Sequence, residues 1–388
     1  MSTESFDVAV IGGGLAGCSA AIHLAQHGHN VVLFETQSYP HHKVCGEFLS
    51  PECAVLLSDL GLSPALQALN PALIHSANIV APNGRTWTNI LPGAGIGISR
   101  YSLDHLMAER ARALGVHVLT RTTVIDVQGN LDDGFKLAIR NAIGLQTLSA
   151  KTVIGAQGKR SGIDRKLERT FFQNPQPFIG LKAHFRGSLP DGHIYLYTFP
   201  GGYCGMSAIE NGLINVCLLV RQDIFQSASQ PSPSSVNTFI VWMSQQNPAL
   251  GKWLSSAERV DESWLSISQI PFVSKQVVVN DILMAGDSAG LIAPVAGDGM
   301  GMALQAGQIA AEVLDLYLTH QISAADVRQR YSQIWWKTFG VRLRLSRLLQ
   351  AFMLRPTWLT PGLRVLNAVP ALGNLLMTHT RDTQLVRL

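Results

Sequence analysis

The chain has 388 residues, of which 47% are hydrophobic and 14% are charged, and its formal net charge is +4. This composition is typical of a compact α/β enzyme and excludes a disordered chain. A mild positive charge without a basic stripe or a nucleic-acid-binding module gives no support for DNA or RNA as a partner.

The five cysteines occur without a C-x-x-C pair, so neither a disulfide framework nor a zinc knuckle is expected. The chain enters an apolar strand at Phe6 without a basic leader. No apolar run reaches the roughly 18 residues that span a bilayer. We therefore expect a cytoplasmic protein.

The first predicted element is a buried parallel strand over 6–11, and a glycine loop follows it. Gly12, Gly14 and Gly17 satisfy G-x-G-x-x-G at the start of a predicted helix over about 16–26. In this motif the glycines let the backbone approach a pyrophosphate, which the helix N-terminus binds. Leu15 and Ala16 lie inside the loop and complete this predicted cofactor-binding segment.

The second predicted strand, over 30–35, ends in Glu35. An acid about 20 residues after the glycine loop can accept hydrogen bonds from an adenosine ribose. The pair of elements predicts a dinucleotide site, although the ribose contact does not separate FAD from NAD. The alternative is a glycine turn followed by a surface glutamate.

A second glycine-rich segment predicts that the dinucleotide is FAD. An apolar strand ends at Gly286–Asp287, and a loop containing Pro294 then leads into 297–301, Gly-Asp-Gly-Met-Gly, at the start of a long apolar helix. The N-terminus of a helix there favours the negative charge of a reduced flavin. The alternative is an aspartate that caps a helix beside a glycine turn.

These segments resemble the FAD-dependent geranylgeranyl reductase family, within the fold shared by aromatic-hydroxylase flavin monooxygenases and flavin halogenases. The matching pieces are 12–17, 43–46, Arg100 with Asp104 and Leu106, 153–158, 195–200 and 285–301. Together they extend over about residues 5–320.

The resemblance implies an α/β fold in which an FAD-binding Rossmann-like domain of the glutathione-reductase type carries an inserted antiparallel β-sheet substrate domain. The implied FAD-binding domain is discontinuous, over 1–75, 100–165 and 275–320. The substrate domain is implied over 76–99 and 166–274. A C-terminal basic helical region is implied over 321–388.

The resemblance also assigns roles to individual residues. Further cofactor-binding residues are implied at Cys45, Gly46, Arg100, Gly158, Asp287, Gly297, Gly299 and Met300. Cys45 is expected beside the flavin ring, where it is interpreted either as a group that tunes or protonates or as a small buried hydrophobe. Arg100 is expected near the FAD phosphates, and its alternative is a surface arginine that precedes a helix.

Two positions depart from the family pattern. Gln157 stands where the family usually has aspartate, so we assign it no catalytic role. Tyr197 replaces the tryptophan of the substrate strand. Tyr195 and Tyr197 are predicted to line the pocket of an apolar or aromatic substrate, with plain core packing as the alternative.

Two chemistries fit a flavin beside such a pocket. The favoured hypothesis is NAD(P)H-driven monooxygenation through a flavin C4a-hydroperoxide, and the alternative is C=C reduction of an isoprenoid or lipid. A non-catalytic flavin-binding protein is a third hypothesis.

Halogenation is disfavoured because no lysine occurs between Val44 and Phe135. A lipophilic or aromatic small molecule is the expected partner, and no obligate protein partner is inferred.

His41 and His42 raise the question of a metal or a covalent flavin link. No carboxylate or third histidine lies near them at ligand spacing in the sequence. A solvated loop is therefore favoured, and no metal site is predicted.

The C-terminal region is basic and amphipathic, with no Asp or Glu over 327–381. Such a segment could contact an anionic membrane surface peripherally, or it could be a helical cover on the FAD domain. Pro356, Pro361 and Pro370 are expected to divide it into short helices, which argues against a membrane span.

Overall fold

The structure, a computed structural model, describes residues 5–173, 176–230 and 235–379. The strands are β1 (Ser5–Ile11), β2 (Val31–Phe34), β3 (Phe48–Leu49), β4 (Ala72–Val80), β5 (Thr86–Gly97), β6 (His117–Leu119), β7 (Thr123–Asn130), β8 (Gly134–Asn141), β9 (Gly144–Gly155), β10 (Phe178–Arg186), β11 (His193–Phe199), β12 (Gly202–Ala208), β13 (Ile214–Arg221), β14 (Glu258–Arg259), β15 (Leu265–Ser268), β16 (Val278–Val279) and β17 (Ile282–Met284). The helices are α1 (Leu15–Gln26), α2 (Cys53–Asp59), α3 (Ser63–Ala68), α4 (Arg100–Ala113), α5 (Gly162–Lys166), α6 (Gln222–Ala228), α7 (Val236–Gln246), α8 (Pro248–Ser256), α9 (Gly299–Leu318), α10 (Ala324–Met353), α11 (Pro356–Ala368) and α12 (Pro370–His379).

The first sheet has the strand order β16-β17-β9-β1-β2-β6, and β7 and β8 extend it from β9. Strand β1 pairs in parallel with β2 and β9, and β9 pairs in parallel with β17. The carboxyl ends of these strands therefore lie at one edge, where ligands bind in open α/β sheets. Helices α1 and α9 pack closely, since an added Cβ on Gly307 would lie 2.3 Å from the Ala16 carbonyl oxygen.

The second sheet has the order β14-β10-β13-β12-β11-β4-β5-β3, with β15 also on β10. Alternation along its strands gives two faces. The helix face packs its side chains in one hydrophobic cluster with Phe239 and Met243 of α7 and with Leu250 of α8. The opposite face, called the inner face below, carries Lys182 and Asn215, whose partners lie in the segment that leaves the first sheet.

The observed arrangement confirms the predicted fold class, a Rossmann-like α/β unit with an inserted, mainly antiparallel sheet and C-terminal helices. The predicted domain boundaries stay predictions. Strand β4 of the second sheet begins at Ala72, close to the boundary predicted at residue 75.

Helix α10 covers the first sheet. Val327, Tyr331 and Trp335 recur every four residues on its buried side, and the Tyr331 hydroxyl donates to the Met284 carbonyl at 2.5 Å. This part of the C-terminal region is a helical cover.

The prolines of the tail differ in position. Pro356 and Pro370 begin helices as expected, but the prediction for Pro361 was wrong, because it lies inside α11. None of the helices within the described residues is both long and apolar enough to cross a bilayer. Arg381 lies outside the described residues.

Candidate cofactor and substrate site

The glycine loop brings the start of α1 against the end of β1. An added Cβ on Gly17 would lie 1.9 Å from the Gly12 carbonyl oxygen, so glycine is required for this contact. The Gly13 amide donates to the Glu35 carboxylate at 3.2 Å, and the Tyr39 hydroxyl donates to the Gly13 carbonyl at 2.5 Å. The loop and the end of β2 thus form one preorganised unit.

Two cations lie beside the open start of α1. An added Cβ on Gly14 would lie 3.5 Å from Nη2 of Arg100 and 3.7 Å from Nζ of Lys43. Both cations bind the buried Asp104 carboxylate, Arg100 at 2.6 and 2.8 Å and Lys43 at 3.1 Å. A glycine cradle, a helix N-terminus and two cations together fit a pyrophosphate.

The charges of this cluster support the same interpretation. Burial raises the pKa of Asp104, but Arg100 and Lys43 outweigh burial and lower it overall. Burial also opposes ionisation of Glu35, yet Lys43 and the Gln37 amide lower its pKa. Both carboxylates are therefore ionised at neutral pH, and Glu35 can accept from a ribose hydroxyl.

The structure brings together all the residues that the sequence assigns to the adenosine and pyrophosphate part of FAD. These are Gly12, Gly14, Leu15, Ala16, Gly17, Glu35 and Arg100. Lys43 lies in the matching segment 43–46 but was not predicted to bind cofactor. Its positive charge, three residues before Gly46, is the sequence feature that could have indicated phosphate binding.

Replacing Lys43 by glutamine is expected to weaken FAD binding roughly 10- to 100-fold, because a charge-assisted hydrogen bond contributes about 1.5–3 kcal/mol. Arg100→Gln should have a similar effect. Flavin fluorescence titration measures the affinity, and Arg85→Gln on the exposed turn between β4 and β5 is the control. An unchanged dissociation constant in both site variants would place the phosphates elsewhere.

The second glycine-rich segment closes the same edge of the sheet. Gly286 has φ +59°, and an added Cβ there would lie 2.8 Å from the Ala16 Cβ. The Gly158 amide donates to the Ser288 hydroxyl at 2.8 Å. The predicted residues Gly158 and Asp287 therefore lie on adjoining turns beside α1.

Lys275 holds these two turns together, and the sequence analysis missed it. Its Nζ donates to the Asp287 carbonyl at 2.7 Å and to the Lys159 carbonyl at 2.9 Å. No local sequence pattern indicates this role, because it depends on the burial of Lys275 and on two turns that are distant in sequence.

Burial lowers the pKa of Lys275 from its ordinary value of 10.5 to about 8. Between these values the unfolded chain binds more protons than the folded protein, so this lysine's contribution to stability rises with pH. The difference in unfolding temperature between the natural protein and a Lys275→Met variant should therefore grow in favour of the natural protein from pH 8 to pH 10. Thermal unfolding of both proteins measures it, and a difference that shrinks over this range contradicts the assignment.

The turn before α9 carries a buried charge. Gly297 has φ +65°, Asp298 is fully buried, and Gly299 and Met300 open the helix. Nη1 of Arg342 in α10 donates to the Asp298 carboxylate at 3.0 Å. The first amides of a helix have no partners inside it, so this turn offers donors to a ligand.

The Cys45–Gly46 segment lies on the inner face of the second sheet. Nδ2 of Asn215 donates to the Cys45 carbonyl at 3.1 Å, and the Ser207 hydroxyl donates to the Gly46 carbonyl at 3.4 Å. The Arg100 guanidinium also interacts with the Cys45 thiol. The Cys45 segment therefore lies between Arg100 and the second sheet.

Glu47 anchors this segment through a buried charged network. Its carboxylate accepts from Nζ of Lys182 at 2.6 Å and from the Arg100 amide at 2.8 Å, and it bonds Nε2 of His184 at 2.7 Å. Glu47 has φ +53° and is fully buried. The network was missed because Glu47 is more than 50 residues from each of these partners in sequence.

The prediction that Tyr195 and Tyr197 line the same pocket as Cys45 is not supported by their positions. Both tyrosines pack with the helix-face cluster beside α7 and α8. The intervening residue, Leu196, pairs with Gly205, which pairs with Cys217, and this row belongs to the inner face. The structure places the two tyrosines on the face of the sheet opposite to Cys45, and their role in a substrate pocket stays a prediction.

A surface cavity of about 340 Å³ also lies on the helix face. Its lining includes Ile179 and Leu181 of β10 and Phe225 of α6. Because Cys45 meets the opposite face of the sheet, this cavity is separated from the Cys45 segment by the sheet itself.

Two lysines that are distant in sequence lie beside the Cys45–Gly46 segment. Although no lysine occurs between Val44 and Phe135 in sequence, the fold brings Lys159 and Lys182 to this segment. Nζ of Lys159 donates to the Val44 carbonyl at 3.0 Å, and Lys182 is paired with Glu47. Both amines are engaged by protein groups.

Two further potential metal ligands lie near His42 in the fold, although none lies at ligand spacing in the sequence. The fold places His184 and Asp261 beside His42, with one ligand atom of each within 4.8 Å of the others. His184 already bonds Glu47, and its backbone amide donates to Asp261 at 2.8 Å. We interpret the group as the outer end of the Glu47 network.

Comparison with known proteins agrees with this geometry. The sequence profile of a family described as FAD binding domain matches residues 5–325. A menaquinone reductase of Mycobacterium tuberculosis is 23% identical over 394 residues, covering 98% of this chain and 93% of that protein. Digeranylgeranylglycerophospholipid reductase 2 of Methanothermobacter thermautotrophicus is 28% identical, covering 88% and 86%.

Among solved structures, the myxobacterial chondrochloren halogenase, described as FAD-dependent, has a TM-score of 0.78 at 21% identity, covering 98% of this chain and 91% of that one. This likeness concerns the fold. Since the family match covers most of the chain and the predicted resemblance to the reductases is confirmed, the chain belongs to the FAD-binding-domain family of oxidoreductases.

Proposed function

We propose that this protein reduces C=C bonds in the isoprenoid chain of a lipid. The observation that carries the proposal is the position of Cys45, whose carbonyl accepts from Asn215 on the inner face, in the cross-strand row next to that of Leu196, Gly205 and Cys217. Small and apolar side chains suit a hydrocarbon chain at this place. The names of the two curated relatives, both reductases matched over most of their length, support the same chemistry.

The chain supplies the surroundings of the reaction. FAD supplies a hydride when bound, and one carbon of the double bond receives it. The other carbon needs a proton, and the Cys45 thiol is the candidate donor. Solvent then returns a proton to Cys45. NAD(P)H is the proposed transient electron donor.

The test is product analysis after incubating the reduced holoenzyme with a polyprenyl lipid under anaerobic conditions. The proposal predicts a product that has gained two hydrogens. Cys45→Ala should slow turnover, whereas Cys204→Ala, a buried cysteine on the helix face, should retain it. Recovery of unchanged lipid from enzyme that carries FAD would refute the proposal and favour a flavin-binding protein without turnover.

A second candidate is NAD(P)H-driven monooxygenation, which the sequence favoured. Lys182, Ser207 and Asn215 are buried on the inner face beside Cys45, and such burial also suits an oxygenation site, which must exclude water. The same product analysis in air separates the two functions, because oxygenation adds one oxygen atom to the product instead of two hydrogens.

A further inference from the structure

The end of the chain presents an apolar surface that the described residues leave exposed. Trp358 and Val365 of α11 are 58% and 52% exposed, and Leu375 of α12 is 54% exposed. Trp358 and Val365 are seven residues apart and share one side of α11. We call the exposed side chains of Trp358, Val365, Val369, Leu372 and Leu375 the apolar stripe.

Two arginines accompany the apolar stripe on α11, because Arg355 immediately precedes this helix and Arg364 lies within it. Arg344, Arg355 and Arg364 are exposed, and the guanidinium of Arg355 lies 5.0 Å from the centre of the Trp358 ring. No Asp or Glu occurs over 327–379. Across the part of the chain that the structure describes, none of these three arginines forms an ion pair with a carboxylate.

The other side of α11 leads to the substrate sheet. Leu359 and Leu363 are fully buried in a cluster that includes Tyr203 and Leu219 of the second sheet. The same cluster contains Leu196 of the inner face at its edge. One helix therefore separates the apolar stripe from the face where we place the hydrocarbon chain.

We propose that the apolar stripe and its arginines dock this protein on an anionic lipid bilayer. Aromatic and aliphatic side chains enter the boundary between headgroups and acyl chains, and the arginines bind lipid phosphates. A second copy of the chain is a poor occupant, since its arginines would meet those of the first copy. The inference deepens the proposed function and rests on it for the substrate, a lipid that would reach the inner face from the bilayer.

Co-sedimentation of the FAD-loaded protein with vesicles tests this proposal. Binding is expected to phosphatidylcholine vesicles that contain phosphatidylglycerol, and it should weaken with salt. Arg355→Gln with Arg364→Gln should reduce the partition coefficient about 20- to 30-fold, since each arginine contributes about 1 kcal/mol near an anionic surface. Trp358→Ser with Val365→Ser should reduce it at least about tenfold.

Matched controls are Arg140→Gln and Leu145→Ser, because both residues are exposed on the β8–β9 hairpin of the first sheet. These variants should bind vesicles as the natural protein does. Equal loss of binding in the controls would overturn the proposal, as would a natural protein that stays in the supernatant. A dimer in light scattering that dissociates when Trp358 and Val365 are replaced would assign the stripe to a second copy instead.

The test also separates this inference from the proposed function. Turnover of a detergent-dispersed polyprenyl substrate should be equal in the natural protein and the stripe variants. Turnover without vesicle binding overturns only the membrane surface, whereas vesicle binding without turnover overturns only the reductase activity.

Discussion

Purified Gly17→Ala protein is expected to contain no FAD. The added Cβ would lie 1.9 Å from the Gly12 carbonyl oxygen, far inside van der Waals contact. Helix α1 must then move away from β1, and its N-terminal amides leave the pyrophosphate position. Visible absorbance of the purified protein, followed by titration with added FAD, measures the loss.

Gly162→Ala is the matched control for this substitution. An added Cβ on Gly162 has no neighbour within 4 Å, and the residue begins helix α5. Alanine is favoured over glycine in a helix, so this variant should be yellow and at least as stable as the natural protein. A Gly17→Ala protein that takes up FAD with unchanged affinity would show that the α1 contact does not form the site.

The second large effect is expected at Glu47. Removing its carboxylate in Glu47→Ala leaves Lys182 buried without its counter-charge, which typically costs about 3–5 kcal/mol. The Cys45–Gly46 segment also loses its anchor to β10. Urea unfolding measures the change in free energy, and flavin titration measures the change in affinity.

A double substitution distinguishes a buried pair from a general packing defect. Glu47→Leu with Lys182→Met removes both charges and should recover part of the lost stability, because Lys182 is no longer an unpaired buried charge whereas the Arg100 amide and His184 still lack their acceptor. Glu109→Ala, which removes an exposed ion pair with Arg112, should change stability by less than about 1 kcal/mol. If the single and double variants at 47 and 182 are equally unstable, the network is not electrostatic in origin.

The residues that the sequence predicts to bind FAD belong to local motifs, and the fold brings these motifs together. Short sequence patterns indicate the glycine loop, Glu35 and the Gly286–Gly301 segment. These patterns follow parallel strands, whose carboxyl ends lie at one edge of the sheet. Arg100 came from family resemblance, and the structure places its guanidinium beside Gly14.

What sequence missed depends on long-range pairing or on the choice between two faces. Asp298 and Arg342 are 44 residues apart, so their pairing required the fold. Strand alternation shows which side chains share a face of β11, but it does not show which face meets Cys45. Tyr195 and Tyr197 were therefore assigned to the pocket, while Leu196 lies on the inner face.

We propose that this FAD enzyme passes a hydride to a C=C bond of a lipid. The most direct measurement mixes the dithionite-reduced holoenzyme with a polyprenyl lipid without oxygen and follows the return of flavin absorbance. We predict that the flavin is reoxidised at a rate that depends on the lipid concentration, and that one C=C bond of the lipid is saturated in the product. Flavin that stays reduced until oxygen is admitted, and then yields an oxygenated lipid, would contradict it.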